Sequence, residues 1–178
     1  MFLPSQQAEE QAILNLASEI CAAVRTAPKA CGIDHLDTAV LTGADKTLLA
    51  QEMRRLGTLL GERGGFFIRD ADNADKSGAV VLVGAAYKPR GLNELCGLCG
   101  FANCEACGQA GAACVFTAMD LGIALGSAVA LAADRRVDNR IMFTIGKAAA
   151  SLGLLGECKL IMGIPLSVSG KSPFFDRK

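Results

Sequence analysis

Apolar residues in the first part of the chain recur with a helical period. Ile13, Leu16, Ala17, Ile20 and Ala23 fall on one stripe, which predicts a helix from Ser5, a candidate N-cap, to about Val24. Pro28 and Gly32 break it. LDTAVLTG (36–43) then reads as a strand that exits through Gly43. ADKTLLAQEMRRLGTLLGERGG reads as a second amphipathic helix, closed by Gly64 and Gly65. The pattern next predicts a short strand in FFIRD (66–70), followed by a turn or short helix in the polar ADNADKSG. AVVLVGAA (79–86) is apolar throughout and bounded by turn residues, as a strand covered on both faces would be.

The loop YKPRGLNE leads into CGLCGFANCEACGQAGAAC (96–114), and from there into the apolar CVFTAMDLGIALGSAVALAA (114–133). That stretch carries one charge, Asp120, and is long enough to cross a bilayer. Ala and Gly dominate it where Leu would face lipid, and no second such span exists. The expected form is a helix buried on nearly all sides in a soluble domain. Arg135 and Arg136 suit its electronegative end. RIMFTIGKAAASLGLL fits one helix, or a strand to Ile145 with a helix from Gly146. CKLIMGIPLSV (158–168) reads as another buried strand. Strands separated by helices, with no repeat or linker, predict one layered α/β or α+β domain over 1–178. The cysteine-rich loop, 95–115, is inserted between the third predicted strand and the long central helix.

Composition narrows the partners. The chain has 178 residues and is 51% hydrophobic, enough for a substantial core. Lys plus Arg equals Asp plus Glu at 18 each, so no field attracts nucleic acid or an anionic membrane. Trp is absent and Tyr occurs once, which leaves no platform for stacking bases. The opening residues lack a cationic region followed by an apolar core, so the expected compartment is the reducing cytoplasm. Thiols there stay free or bind metal, which sets aside a disulfide knot.

Five of the eight cysteines stand within residues 96–114, spaced Cys96-x2-Cys99-x4-Cys104-x2-Cys107, with Cys114 beyond. A C-x2-C turn aims backbone amides at its sulfurs and stabilises thiolate, for zinc or for iron alike. Zinc knuckles are usually separated by about a dozen or more residues, so that two rigid turns can face each other. Closely spaced cysteines on one loop suit a larger inorganic cluster, with Gly97 and Gly100 letting the backbone bend near the sulfurs. Zinc stays open as the alternative metal.

CGLCGFANC has the form C-G-x-C-G-x-x-x-C and resembles the 4Fe–4S domain of electron-transport and corrinoid proteins. RTAPKACGID, FFIRDA, PRGLN with the cysteines, CVFTAMDLGIALGSAV, VDNRIMFTIG and IMGIPLSVSGK together resemble uncharacterised ferredoxin-domain-containing proteins. The resemblance implies a 4Fe–4S cluster on Cys96, Cys99, Cys104 and a fourth cysteine. In the family pattern that ligand sits just before the long helix, which is Cys114 here; Cys107 is an additional thiol and the other candidate. A Cys114 thiolate would also lie near the positive end of that helix.

A second resemblance concerns fold. TAPKACGIDHLDTAVLTG, MDLGIALGSAVALA and LIMGIPLSVSGK are similar to segments of flavin-dependent nitroreductases, which implies an α+β mixed sheet with packed helices. It also implies a homodimer, and FMN phosphate held near Arg25, Lys29 and Lys171. The tryptophan-containing continuation of the Ala-Pro motif is missing here. The expected function is one-electron transfer to an unidentified redox partner. The alternatives are a flavin oxidoreductase with an accessory cluster, and a zinc-stabilised interaction module.

No catalytic residue is assigned. His35, the single histidine, reads as a turn residue. Gly122, Gly126 and Ala130 share a helical face, which suits internal packing or a helix approaching across a dimer axis. Cys21 and Cys158 read as small core residues, and Cys31 as a more open turn thiol. Lys88 and Arg90 flank the cysteine loop, either countering the charge of a cluster and tuning its potential or solvated.

Overall fold

The structure is a computed structural model that describes residues 2–175. Its elements are α1 (Ser5–Thr26), β1 (Leu36–Leu41), α2 (Gly43–Leu59), α3 (Gly65–Lys76) and β2 (Ala79–Ala86), then α4 (Cys104–Gln109), α5 (Val115–Asp134), β3 (Asp138–Asn139), α6 (Phe143–Ser151) and β4 (Cys158–Ser167). The strands form one sheet in the order β1-β2-β4-β3, antiparallel at every pairing. The class is α+β.

Every residue of β2 is buried because helices cover both faces of the sheet. Val81, Val83 and Ala85 point into a core shared with Ile13, Leu16 and Ile20 of α1 and Leu121, Ala124 and Ala128 of α5. Val80 and Leu82 point the other way, against Leu49 and Met53 of α2, Phe67 and Ala71 of α3, and Ile145 and Ala148 of α6. At about 1.5–3 kcal/mol for each large apolar side chain fully buried, this central strand is the main source of hydrophobic stabilisation. On the second face α6 lies directly on β4. A Cβ on Gly146 would come within 1.7 Å of the Ile161 carbonyl oxygen, and one on Gly163 within 1.9 Å of Ile145 Cγ2.

Several expectations change. FFIRD is the first part of helix α3, not a strand, because Phe67, Asp70, Ala71 and Ala74 form a buried helical stripe. The cysteine loop therefore follows the second strand, not the third. Helix α6 begins at Phe143, and the preceding residues contribute only an isolated bridge between Met142 and Gly163. Helix α5 is not buried nearly all round. It is the one helix among the described residues long and apolar enough to cross a membrane, yet 39% of that stretch is buried against α1 and the sheet. Ala118, Met119, Gly122, Ile123, Gly126 and Ala130 face outward, so the small-residue stripe does not serve internal packing. At the start of α1, Pro4 is the N-cap and Ser5 the first helical residue.

Candidate metal centre

The segment between β2 and α5 is a succession of tight turns. Gly91, Gly97, Gly100 and Gly111 all adopt left-handed backbone, with φ from 60° to 78°. Gly97 and Gly100 each directly follow a cysteine, so the chain reverses immediately after presenting a thiol. A short 3-10 turn, Asn93–Leu95, sets up Cys96. Helix α4 then begins at Cys104 and is capped by Asn103, whose Oδ1 accepts from the Ala106 amide at 2.9 Å. Cys104 and Cys107 are three residues apart on this helix and share a face. Cys114 is the N-cap residue of α5.

All five thiols line one cleft, together with Pro89, Arg90, Asn93 and Phe116. Cys107 and Cys114 form its buried wall, whereas Cys96, Cys99 and Cys104 are half-buried at its outer side. Among the described residues, no three His, Cys, Asp or Glu side chains converge as single-ion coordination requires. The Asn93 amide donates to Cys104 Sγ at 3.2 Å, the kind of bond that stabilises a thiolate. Burial pushes the Cys107 thiol up, as do its hydrogen bond with Cys99 and the neighbouring Cys114 and Cys104.

Behind the cleft lies a buried ion pair. Arg90 Nη2 donates to Asp120 Oδ2, with side-chain exposures of 1% and 3%. Arg90 Nη1 also donates to the Lys88 carbonyl at 3.3 Å, while Arg90 Nε has no partner. Asp120 Oδ1 accepts from the Ala30 amide at 3.0 Å and so ties the turn after α1 to the second turn of α5. Thr117, one turn before Asp120 on α5, is fully buried and its hydroxyl is unpartnered. Arg90 is thus held beneath the cleft and not solvated. Lys88 stays half-exposed and pairs with Glu157 at 2.6 Å. The sequence marked Arg90 as a cation flanking the loop, either countering its charge and tuning its potential or solvated, and gave Asp120 no role. The available signal was one carboxylate inside a long apolar helix, since a buried Asp requires a partner.

The other expected site residues lie elsewhere. Arg25 Nη1 donates to Asp34 at 2.5 Å and to the Leu36 carbonyl at 3.1 Å. Lys29 folds back over the end of α1, donating to the carbonyls of Val24, Arg25 and Ala27 at 2.7–3.0 Å. Arg25 and Lys29 are therefore neighbours, both near Asp34. Lys171 follows β4, where its carbonyl accepts from the Ser169 hydroxyl. His35 lies on the rim of a separate shallow cleft with Asp37, Lys88, Glu157 and Cys158. Burial, Arg90 and Lys88 push its pKa down.

Comparison with known proteins follows the same division between loop and scaffold. Residues 110–177 match the family described as uncharacterized protein containing a ferredoxin domain (DUF2148). That span includes Cys114, α5 and β4, and begins after the other four cysteines of the loop. An uncharacterized protein of Archaeoglobus fulgidus is 37% identical over 99% of this chain and 98% of its own length. Among solved structures, the FMN and NADPH-dependent nitroreductase NfnB of Sphigopyxis sp. strain HMH superposes with a TM-score of 0.58 at 12% identity, covering 90% of this chain and 81% of that one. A Desulfitobacterium hafniense nitroreductase with bound FMN gives 0.56 at 18% identity, covering 88% and 78%. Nitroreductase CinD of Lactococcus lactis, in complex with chloramphenicol, gives 0.55 at 16%, covering 94% and 85%. The scaffold is nitroreductase-like in fold.

Proposed function

Because this chain belongs to the family of uncharacterised proteins that contain a ferredoxin domain, we propose that it is an iron–sulfur electron-transfer protein. It would hold one 4Fe–4S cluster on Cys96, Cys99, Cys104 and Cys114. The observation that carries this reading is that all five thiols of the loop line one cleft. Left-handed glycines, the amide bonded to Cys104 and the unpartnered, buried Arg90 Nε fit an anionic group there. When bound, such a cluster supplies one-electron chemistry: one electron enters from a donor and leaves to an acceptor, and no substrate bond is made or broken. The protein's part is to present thiolates, supply N–H dipoles and exclude water on the inner side, where Cys107 and Cys114 are buried. A cytoplasmic setting, a separate redox partner and a homodimer complete the proposal. The outward apolar face of α5 supports the homodimer.

Anaerobic reconstitution with iron and sulfide tests the reading. The expected product contains about four irons per chain, with a broad violet absorbance shoulder that dithionite bleaches. A colourless protein that retains stoichiometric zinc would overturn it in favour of a zinc-stabilised module. The fold likeness to FMN-dependent enzymes favours a second reading, an oxidoreductase with flavin near Arg25, Lys29 and Lys171. Yellow flavin bands that survive gel filtration would support it. A phosphate at this position has to compete with Asp34 for Arg25 and with three carbonyls for Lys29.

A further inference from the structure

The pair behind the cleft is directional. Arg90 lines the cysteine cleft, and Asp120 does not. Arg90 therefore reaches the thiol-lined cleft, while its Nη2 and Nη1 are turned to Asp120 and to the Lys88 carbonyl. Asp120 cannot turn away, because its other oxygen holds the Ala30 amide and its backbone is fixed in the second turn of α5. Arg90 is fixed in turn by Asp120 and the Lys88 carbonyl, leaving Nε as the one buried guanidinium nitrogen without a partner. An Arg buried to this degree, with one donor left unspent beside its pairing with Asp120, carries an unmet demand for an acceptor.

We propose that Arg90 and Asp120 form a built-in charge dipole that sets the reduction potential of the group held by the cysteines. Arg90 is the stabilising charge and Asp120 is the positioning residue that keeps it there. The proposal rests on the cluster reading above. Reduction adds one negative charge to the cleft. A fixed cation at its wall favours the reduced state and raises the potential, and the anion behind it partly offsets that effect. Charge is conserved simply: one electron comes from the mediator, and no proton or bond to either side chain is required.

The test is an anaerobic redox titration of reconstituted protein followed by electron paramagnetic resonance. Arg90→Gln is expected to shift the midpoint downward, Asp120→Asn to shift it upward, and Arg90→Lys to stay nearest the parent. A purely structural pair would lower thermal stability in the variants without moving the potential in opposite directions. Should a single variant fail to fold, the neutral double variant Arg90→Gln with Asp120→Asn leaves no lone buried charge. It is expected below the parent, because the nearer charge dominates. Midpoints unchanged in the foldable variants, or shifted in one common direction by both single variants, would overturn the proposal. Failure of the parent to take up iron and sulfide is a different result, and overturns the cluster reading itself.

Discussion

Replacing Asp120 with Ala removes the partner of a guanidinium whose side chain is 1% exposed. Two costs follow. Breaking a buried ion pair by deleting one partner costs about 3–5 kcal/mol, because the surviving charge is stranded away from water. The Ala30 amide loses its acceptor at the same time, worth roughly a further 1 kcal/mol. A total near ~5 kcal/mol is a large share of the ~5–15 kcal/mol that holds a typical domain folded. Urea denaturation of the metal-free protein under reductant reads this directly. With a slope of about 2 kcal/mol per molar urea, the midpoint falls by roughly 2–2.5 M. The control is the double variant Arg90→Met with Asp120→Leu, which replaces both charges by packed hydrocarbon and is expected within about 1 kcal/mol of the parent. If Asp120→Ala lowers the midpoint by less than about 0.5 M, water reaches the pair and the argument for a dry, fixed charge behind the cysteines fails.

Three further outcomes are expected. In iron and sulfide analyses after reconstitution, Cys104→Ser and Cys114→Ser lose the cluster and Cys107→Ser retains it; the reverse for the last two reassigns the fourth ligand to Cys107. Gly146→Ala places a methyl 1.7 Å from the Ile161 carbonyl oxygen, so calorimetry should show at least about 2–3 kcal/mol of destabilisation, and a loss below about 0.5 kcal/mol would mean that α6 moves freely over β4. Hydrogen bonds from Arg55 and Ser151 lower the Glu52 carboxyl from 4.5 to about 2, so its contribution to stability is complete above about pH 4.5 and is lost as the pH falls toward 2. Ser151→Ala should flatten that acid limb in pH-dependent urea melts, and an unchanged limb would remove Glu52 from the account.

Strong apolar contrast made part of the fold legible. The eight apolar residues of β2 lie between turn signals, and their burial on both faces followed. The stripe of α1 was equally clear. Helix α3 was missed because Phe66, Phe67 and Ile68 look like strand residues, while the helical stripe runs through Asp70 and Asn73, which are buried polar groups. Asp70 is tolerated there because Arg69 and Thr144 both donate to it, and the latter reaches it from α6. No local pattern could announce a partner 74 residues away. The outward phase of α5 was hidden for the opposite reason. Ala and Gly line both sides of the helix, so composition carried no contrast to mark the solvent face. The five thiols were legible as a cluster, but their enclosure by a buried Arg was not.

Helix α5 explains why loop and scaffold depend on each other. Cys114, Thr117, Asp120, Leu121, Ala124, Ala128 and Ala132 form one continuous buried stripe along it. Cys114 lines the cysteine cleft and Asp120 pairs with Arg90 of the loop, while Leu121, Ala124, Ala128 and Ala132 are apolar and meet α1 and the sheet. Four of the five cysteines ride on a glycine-rich excursion with little core of its own, whereas Cys114 directly precedes a helix seated in the core. A site built on a rigid element holds its geometry better than one built on a loop alone. Cys114 and the Arg90–Asp120 pair therefore sit on the buried side of the cleft, carried by or packed on α5, and Cys96, Cys99 and Cys104 stand half-buried on its outer side.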